Sequence, residues 1–408
     1  MHHNYAKRII TLNSPQAIIT AVCLAAGTPT EDFMDFSALD KFIDDMPKRG
    51  LPMFDLAVSY KGENVYRHSS GFSDFELTKP TSDKDIYWIF SNTKVMTCIC
   101  AMKLVEEGKM SLDDKLSKYI PEFEKMFIRN PDGSIAPAKK DITLLHLFTM
   151  TGGLDYALNS PPLKAAKEAG LGTLDIVRQM AKMPIGFEPG TRYRYSLCHD
   201  VLAAVVEIVS GMKFSDYAKK FIFDPLGMTD TGFRPSEEQL SRLSAVYTYH
   251  GGLNKAIPTD SNNVYALTPN YDSGGAGLFS TVSDYIKMLT AVALGGTSKD
   301  GYRLLNPETV AMMGKNFLCD DARKDFSTTR SAGYGWGLCG RAHVDPVVSL
   351  SKSPVGEFGW DGAAGALSMM DATNGVALYL GTHVKGCNYI YHYIHPEIIN
   401  KVYTALGL

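Results

Sequence analysis

The sequence has seven cysteines, Cys23, Cys98, Cys100, Cys198, Cys319, Cys339 and Cys387, but no two stand in a Cys-x-x-Cys pair. An odd count without paired spacing argues against a disulfide framework or a structural zinc site, and it fits a reducing compartment. Charge of one sign is lacking too: 41 Lys and Arg stand against 44 Asp and Glu, interspersed, for a net charge of −3. No basic face is offered to nucleic acid and no polybasic run to a membrane surface. The apolar stretch from Ile9 to Gly27 follows Lys7 and Arg8 in the outline of an export signal. Asn13, Ser14, Pro15 and Gln16 interrupt it, and the Ala17 to Ala26 remainder falls short of the ~20 residues a membrane span needs. The reading favours the cytoplasm, with export as the alternative, and leaves open whether residues 1–30 are a signal or an ordered extension.

Several reactive signatures are also missing. There is no Gly-x-Ser-x-Gly elbow and no His-Glu-x-x-His, and the ten histidines show no ligand spacing. Gly335 to Gly340 fits Gly-x-Gly-x-x-Gly, but Arg341 to Pro346 does not begin the helix that dinucleotide binding requires. Neither a metal nor an organic cofactor is expected. A small, uncharged or weakly charged molecule suits the charge balance as a partner.

What is present reads as a globular chain of 408 residues. FDLAVSY and NVYRHSSG read as two strands between Met53 and Gly71, after a helix from about Ser37 to Met46. Val95 to Glu107 reads as a helix with almost no polar face, hence buried, closed by Gly108. The stretch from Asp113 to Gly251 is helical and loop-rich, with candidate helices at Thr143 to Met150, Thr173 to Met183 and Asp200 to Ser210. Strand-like runs return after about Gly274 as GLFST, YGWGLCG, GALSMMD and NGVALYLGTH, before a final helix from His395 to Leu406. Strands at both ends around a helical middle indicate an α+β fold rather than alternating βαβ units. The expected division is a discontinuous sheet part, 30–92 and 270–408, and a mainly helical part, 93–269, with the site between them.

Ser91-Asn92-Thr93-Lys94 places a hydroxyl and an amine three residues apart, on one face of a helix. A serine hydroxyl needs a neighbouring base to become a nucleophile, and a helix N-terminus points N–H groups at a developing oxyanion. A serine in that place is also a favoured N-cap, so the tetrapeptide alone leaves both readings open. Two further Ser-x-x-Lys matches, at Ser210 and Ser349, lie at a helix end and in a polar stretch and read as chance. A tyrosine in Pro189 to Leu197 is placed to exchange a proton with the reacting oxygen, or else to be a buried aromatic. Tyr193 suits the second role better. Phe358 to Gly365 is glycine-rich and offers either an exposed N–H beside a ligand or a plain turn.

These places together resemble the serine β-lactamase-like and penicillin-binding-protein-like hydrolases, which include class C β-lactamases, D-Ala-D-Ala carboxypeptidases and family VIII carboxylesterases. Phrases such as Leu104 to Lys109, Leu144 to Leu154, Asp224 to Met228 and Gly274 to Thr281 follow in the expected order, from about Phe36 to Thr382. The resemblance implies an antiparallel sheet flanked by helices beside a mainly helical subdomain. It implies Ser91 as nucleophile, Lys94 as its base partner and Tyr195 as the tyrosine that shuttles the proton. It makes the backbone N–H groups of Ser91 and Ala363 the oxyanion hole, with Trp360, Gly362 and Leu197 in contact with substrate. Where lactamases carry Tyr-x-Asn, this chain has Leu197 in the Asn place, and where they carry Lys-Thr-Gly it has Trp360-Asp361-Gly362. The usual cationic partner of a substrate carboxylate is thus replaced, and Ser-Asp-Asn is absent. The implied activity is a carboxylesterase-type hydrolase forming an acyl-enzyme on a small ester or amide. The alternatives are a D-amino-acid peptidase or amidase, a transacylase, a β-lactamase, or a non-catalytic acyl-binding sensor. His146 and His199 lie near the matched phrases and read as structural.

Overall fold

The structure is a computed structural model that describes residues 34–327 and 332–408. The N-terminal apolar stretch, with Cys23, lies outside the described residues. Its frame is a seven-stranded sheet in which every neighbouring pair is antiparallel. After helix α1 (Ser37–Asp44) the chain lays down β1 (Met53–Tyr60) and β2 (Glu63–Gly71) as a hairpin. The short strand β3 (Tyr87–Trp88) then delivers the chain to helix α2 (Thr93–Glu106). Helix α3 (Cys198–Ser210) packs against α2, and the short strand β4 (Phe279–Ser280) pairs with β3 before helix α4 (Val282–Ala293). The chain then returns to the sheet as β5 (Tyr334–Trp336), β6 (Arg341–His343), β7 (Phe358–Asp361), β8 (Leu367–Asp371) and β9 (Val376–Gly381), and ends in α5 (His395–Ala405). The strand order is β2-β1-β9-β8-β7-β6-β5. The α+β, antiparallel class expected from the sequence is the one found.

Burial explains the sequence pattern. Every residue of β1, β8 and β9 is buried, so the central strands read as nearly continuous apolar runs instead of alternating ones. Helix α4 covers β1, β8 and β9, its apolar stripe facing the sheet. Helix α2 is buried through most of its length, as its all-round apolar composition requires, and it includes Lys94 at 0% exposure. The GLFST run forms only the two-residue β4, because its partner β3 is itself only two residues long. Among the described residues no helix is long and apolar enough to cross a membrane.

One buried histidine ties β3 to the rest. His383 Nε2 accepts the Trp88 N–H at 3.0 Å, so Nδ1 carries the hydrogen and faces the Ser244 carbonyl at 3.1 Å. Burial pushes the His383 pKa down to about 4, and that of His199, whose Nε2 meets the Phe148 carbonyl, down to about 3. Both groups stay neutral when folded below the ~6.5 of an unfolded histidine. Their contribution is therefore complete above about pH 6.5 and is lost as pH falls towards 4, at roughly 1.4 kcal/mol per pH unit for each. Urea midpoints measured from pH 6.5 to 4 should fall steeply, and more gently for His383→Gln. Parallel curves for the two proteins would contradict this assignment.

Candidate active site

Ser91 stands where β3 turns into α2, and its backbone setting is strained. Phe90, the residue before it, has φ +46°, a left-handed conformation that costs a non-glycine residue about 1–3 kcal/mol. The ring is fully buried against Tyr265 and His383, which offsets that cost and fixes the turn. The following residues are held as tightly: Tyr285 OH donates to the Asn92 carbonyl at 2.6 Å, and the Leu278 N–H donates to Thr93 Oγ1 at 3.1 Å.

Lys94, one turn on, lies 3.3 Å from Ser91 Oγ through its Nζ. The same Nζ donates to the Gly275 carbonyl at 2.7 Å and meets the Tyr156 hydroxyl at 3.3 Å. Gly275 is held in turn by the buried Asp200, whose Oδ1 accepts from Gly275 N–H, Tyr271 OH and Ser273 Oγ. A side chain at Gly275 would meet Asp200 Oδ2 at 2.4 Å, so this close approach requires glycine.

Two tyrosines complete the floor. Tyr195 presents its ring face to Lys94, with Nζ 4.6 Å from the centroid, and its hydroxyl accepts the Trp360 indole N–H at 3.0 Å. Tyr156 stacks on Tyr195 at 5.7 Å and supplies the hydroxyl nearest the amine. The backbone explains the stack: Leu197 N–H donates to the Asp155 carbonyl at 3.1 Å, bringing the two segments side by side. Burial holds the Tyr156 hydroxyl well above its ordinary pKa, so it is a neutral donor and acceptor at working pH.

Opposite Ser91, β7 ends in the turn 362–366. Gly362 N–H donates to Ala366 O and Gly365 N–H to Gly362 O, which leaves the Ala363 amide outside the turn's own bonding. A Cβ on Gly362 would lie 2.6 Å from the Ile89 carbonyl, so glycine lets the turn close on the segment that carries Ser91. Above this floor opens a cavity of about 660 Å³, walled by Tyr156, Tyr193, Tyr195, Tyr265, Phe326 and Trp360, with Ser91 and Ala363 at its base. Its charged lining residues are Arg194, Asp325 and Asp361. The Arg194 guanidinium lies over the Phe187 ring, and Asp325 accepts from Arg192 Nε at 2.6 Å.

Of the residues singled out in the sequence, Ser91, Lys94, Tyr195, Trp360, Gly362 and Ala363 come together here. Leu197 does not: it is 2% exposed, caps the start of α3 and lies outside the cavity wall, because the helix turns its side chain into the apolar core. Tyr193 is part of the wall, packed on Phe326 and Trp336. His146 caps a short helix through the Thr143 N–H. Tyr156 was not picked out from the sequence; the only signal was its place just after the Thr151-Gly152-Gly153-Leu154 phrase.

Comparison with known proteins identifies the family and the fold. The Beta-lactamase family model matches residues 39–386. Esterase EstB of Burkholderia gladioli is 28% identical, over 80% of this chain and 84% of its own length. A putative D-alanyl-D-alanine carboxypeptidase of Escherichia coli K12 is 27% identical, over 84% of this chain and 80% of its own. In structure, simvastatin synthase LovD from Aspergillus terreus superimposes with a TM-score of 0.76 at 21% identity, covering 91% of this chain and 98% of that one, a likeness of fold. The match along nearly the whole chain shows that this protein belongs to the Beta-lactamase family and is a serine hydrolase.

Proposed function

We propose that the protein hydrolyses neutral esters with a bulky apolar group, through an acyl-enzyme on Ser91. The observation that carries this reading is the 3.3 Å approach of Lys94 Nζ to Ser91 Oγ at the base of a 660 Å³ aromatic-walled cavity. The Lys94 amine takes the hydroxyl proton as Oγ attacks the carbonyl carbon. The electron pair displaced onto the carbonyl oxygen is held by the N–H groups of Ser91 and Ala363, at about 3 kcal/mol per donor. The C–O bond to the leaving group then breaks, and the alkoxide takes a proton from Lys94, relayed through the Tyr156 hydroxyl that touches the amine. Tyr195 holds the amine under its ring and, through its indole-bound hydroxyl, serves the same proton path. Water enters by the reverse sequence and frees the acid, leaving Ser91 and Lys94 as they began.

The preference for neutral esters over β-lactams and peptide carboxylates rests on charge. Asp361 follows Trp360 on the strand facing Ser91, in the segment where lactamases of the resemblance carry a cation. The nearby arginines are engaged elsewhere, Arg192 with Asp325 and Arg194 over Phe187. Six aromatic walls favour an apolar or aromatic acyl or alcohol group.

Three outcomes are expected. Ser91→Ala should lose p-nitrophenyl ester turnover by at least ~10³-fold, and wild type should cleave the anionic lactam nitrocefin far more slowly than the ester. Ester activity surviving in Ser91→Ala would remove the mechanism, and nitrocefin cleavage matching that of the ester would remove the charge argument. Tyr156→Phe should lower kcat by about 10²-fold, the usual scale for a lost proton relay, with KM little changed. A Tyr156→Phe enzyme with wild-type kcat would leave the relay to Tyr195 alone.

A further inference from the structure

The turn that offers the Ala363 N–H is held from behind by the C-terminal segment. A π-helical turn, Ile390–Ile394, runs directly into α5. Tyr391 OH donates to the Gly362 carbonyl at 2.8 Å. His395 Nε2 lies 2.9 Å from the Gly365 carbonyl, and since a carbonyl only accepts, this nitrogen carries the hydrogen. The two rings meet edge to face at 5.4 Å. Backbone bonds fix the rest of the turn: Val384 N–H to Ala364 O at 2.9 Å, Gly365 N–H to Gly362 O at 3.0 Å, and Gly362 N–H to Ala366 O at 2.8 Å. The carbonyls of Gly362, Ala364, Gly365 and Ala366 are therefore all engaged, while Ala363 lines the chamber together with Ser91. The fit is close, since a Cβ on Gly365, which sits at φ +91°, would lie 2.9 Å from Ile390 Cδ1.

We propose that Tyr391 and His395 are positioning residues for the oxyanion donor at Ala363, a claim that rests on the acyl-enzyme reading above. They line a separate cavity of about 230 Å³ beside β7 and not the chamber that holds Ser91, so they act through the turn rather than on substrate. The π-turn is part of the device. Inserted π-turns recur at functional sites, and this one lies where the chain must aim two side chains, four residues apart, at the first and fourth residues of one five-residue turn. An oxyanion donor counts only when it is in place for the transition state, so a loosened turn lowers kcat and leaves ground-state binding nearly untouched.

The test is steady-state ester hydrolysis by Tyr391→Phe, His395→Leu, the double variant and His395→Gln, with melting temperatures and with Ser91→Ala in the same assay. Each single variant should lose about tenfold in kcat and the double about a hundredfold, the scale of a misplaced catalytic group, with KM within about twofold. In His395→Gln the new amide nitrogen can stand in for Nε2, so that variant should return to within about threefold of wild type. A double variant with undiminished kcat would overturn the inference, as would kcat losses that track melting temperature and are not rescued by His395→Gln. Activity in Ser91→Ala would instead overturn the acyl-enzyme reading, so the two failures are distinguishable.

Discussion

A buried lysine amine, cut off from water, needs protein partners for its hydrogen-bonding capacity. At Lys94 those partners are Ser91 Oγ, Tyr156 OH and Gly275 O, with the Tyr195 ring face against the same nitrogen. Much of the surrounding structure serves that one arrangement. Asp200 orders the loop that presents Gly275 O, and the Leu197–Asp155 bond places the two tyrosines. The apolar length of α2 keeps the amine from water. None of the three partners is a carboxylate, so the nitrogen is held by neutral acceptors, the Ser91 hydroxyl among them.

The position of Ser91 is a balance of strain and anchoring. Phe90 sits in a left-handed conformation that its buried ring offsets, and His383 packs against that ring while its Nε2 accepts the Trp88 N–H. Trp336, on the sheet's edge strand, donates its indole N–H to the Phe148 carbonyl and so joins the sheet to the helices on the far side of the cavity. The site therefore spans sheet and helical residues. Acid that protonates His383 would loosen the turn that carries Ser91 as well as the fold.

How much of this the sequence disclosed depended on range. Local signals were readable: the all-round apolar α2 with Ser91 and Lys94 at its start, the β1–β2 hairpin, and the glycine-rich end of β7. The other two Ser-x-x-Lys matches stand in settings unlike that of Ser91. Ser210 is the last residue of α3, followed by a left-handed Gly211, and Lys352 reaches Thr404 on the surface. Features set by distant contacts were not readable. Tyr156 owes its place to a backbone bond between its neighbour Asp155 and Leu197, and the strain at Phe90 depends on Tyr265 and His383, residues far away in the chain. Leu197 shows the opposite error: a position matched by motif alone was taken for a substrate contact, whereas the start of α3 turns it into the core.

The central claim is a covalent acyl group on Ser91. The direct measurement is intact and peptide mass spectrometry of the protein after brief reaction with a p-nitrophenyl ester and acid quenching. The account predicts a mass gain equal to the acyl group, located on the peptide containing Ser91 and absent from Ser91→Ala. Rapid turnover with no adduct in wild type, even under quenching fast enough to resolve a single turnover, or an adduct on another residue, would contradict it.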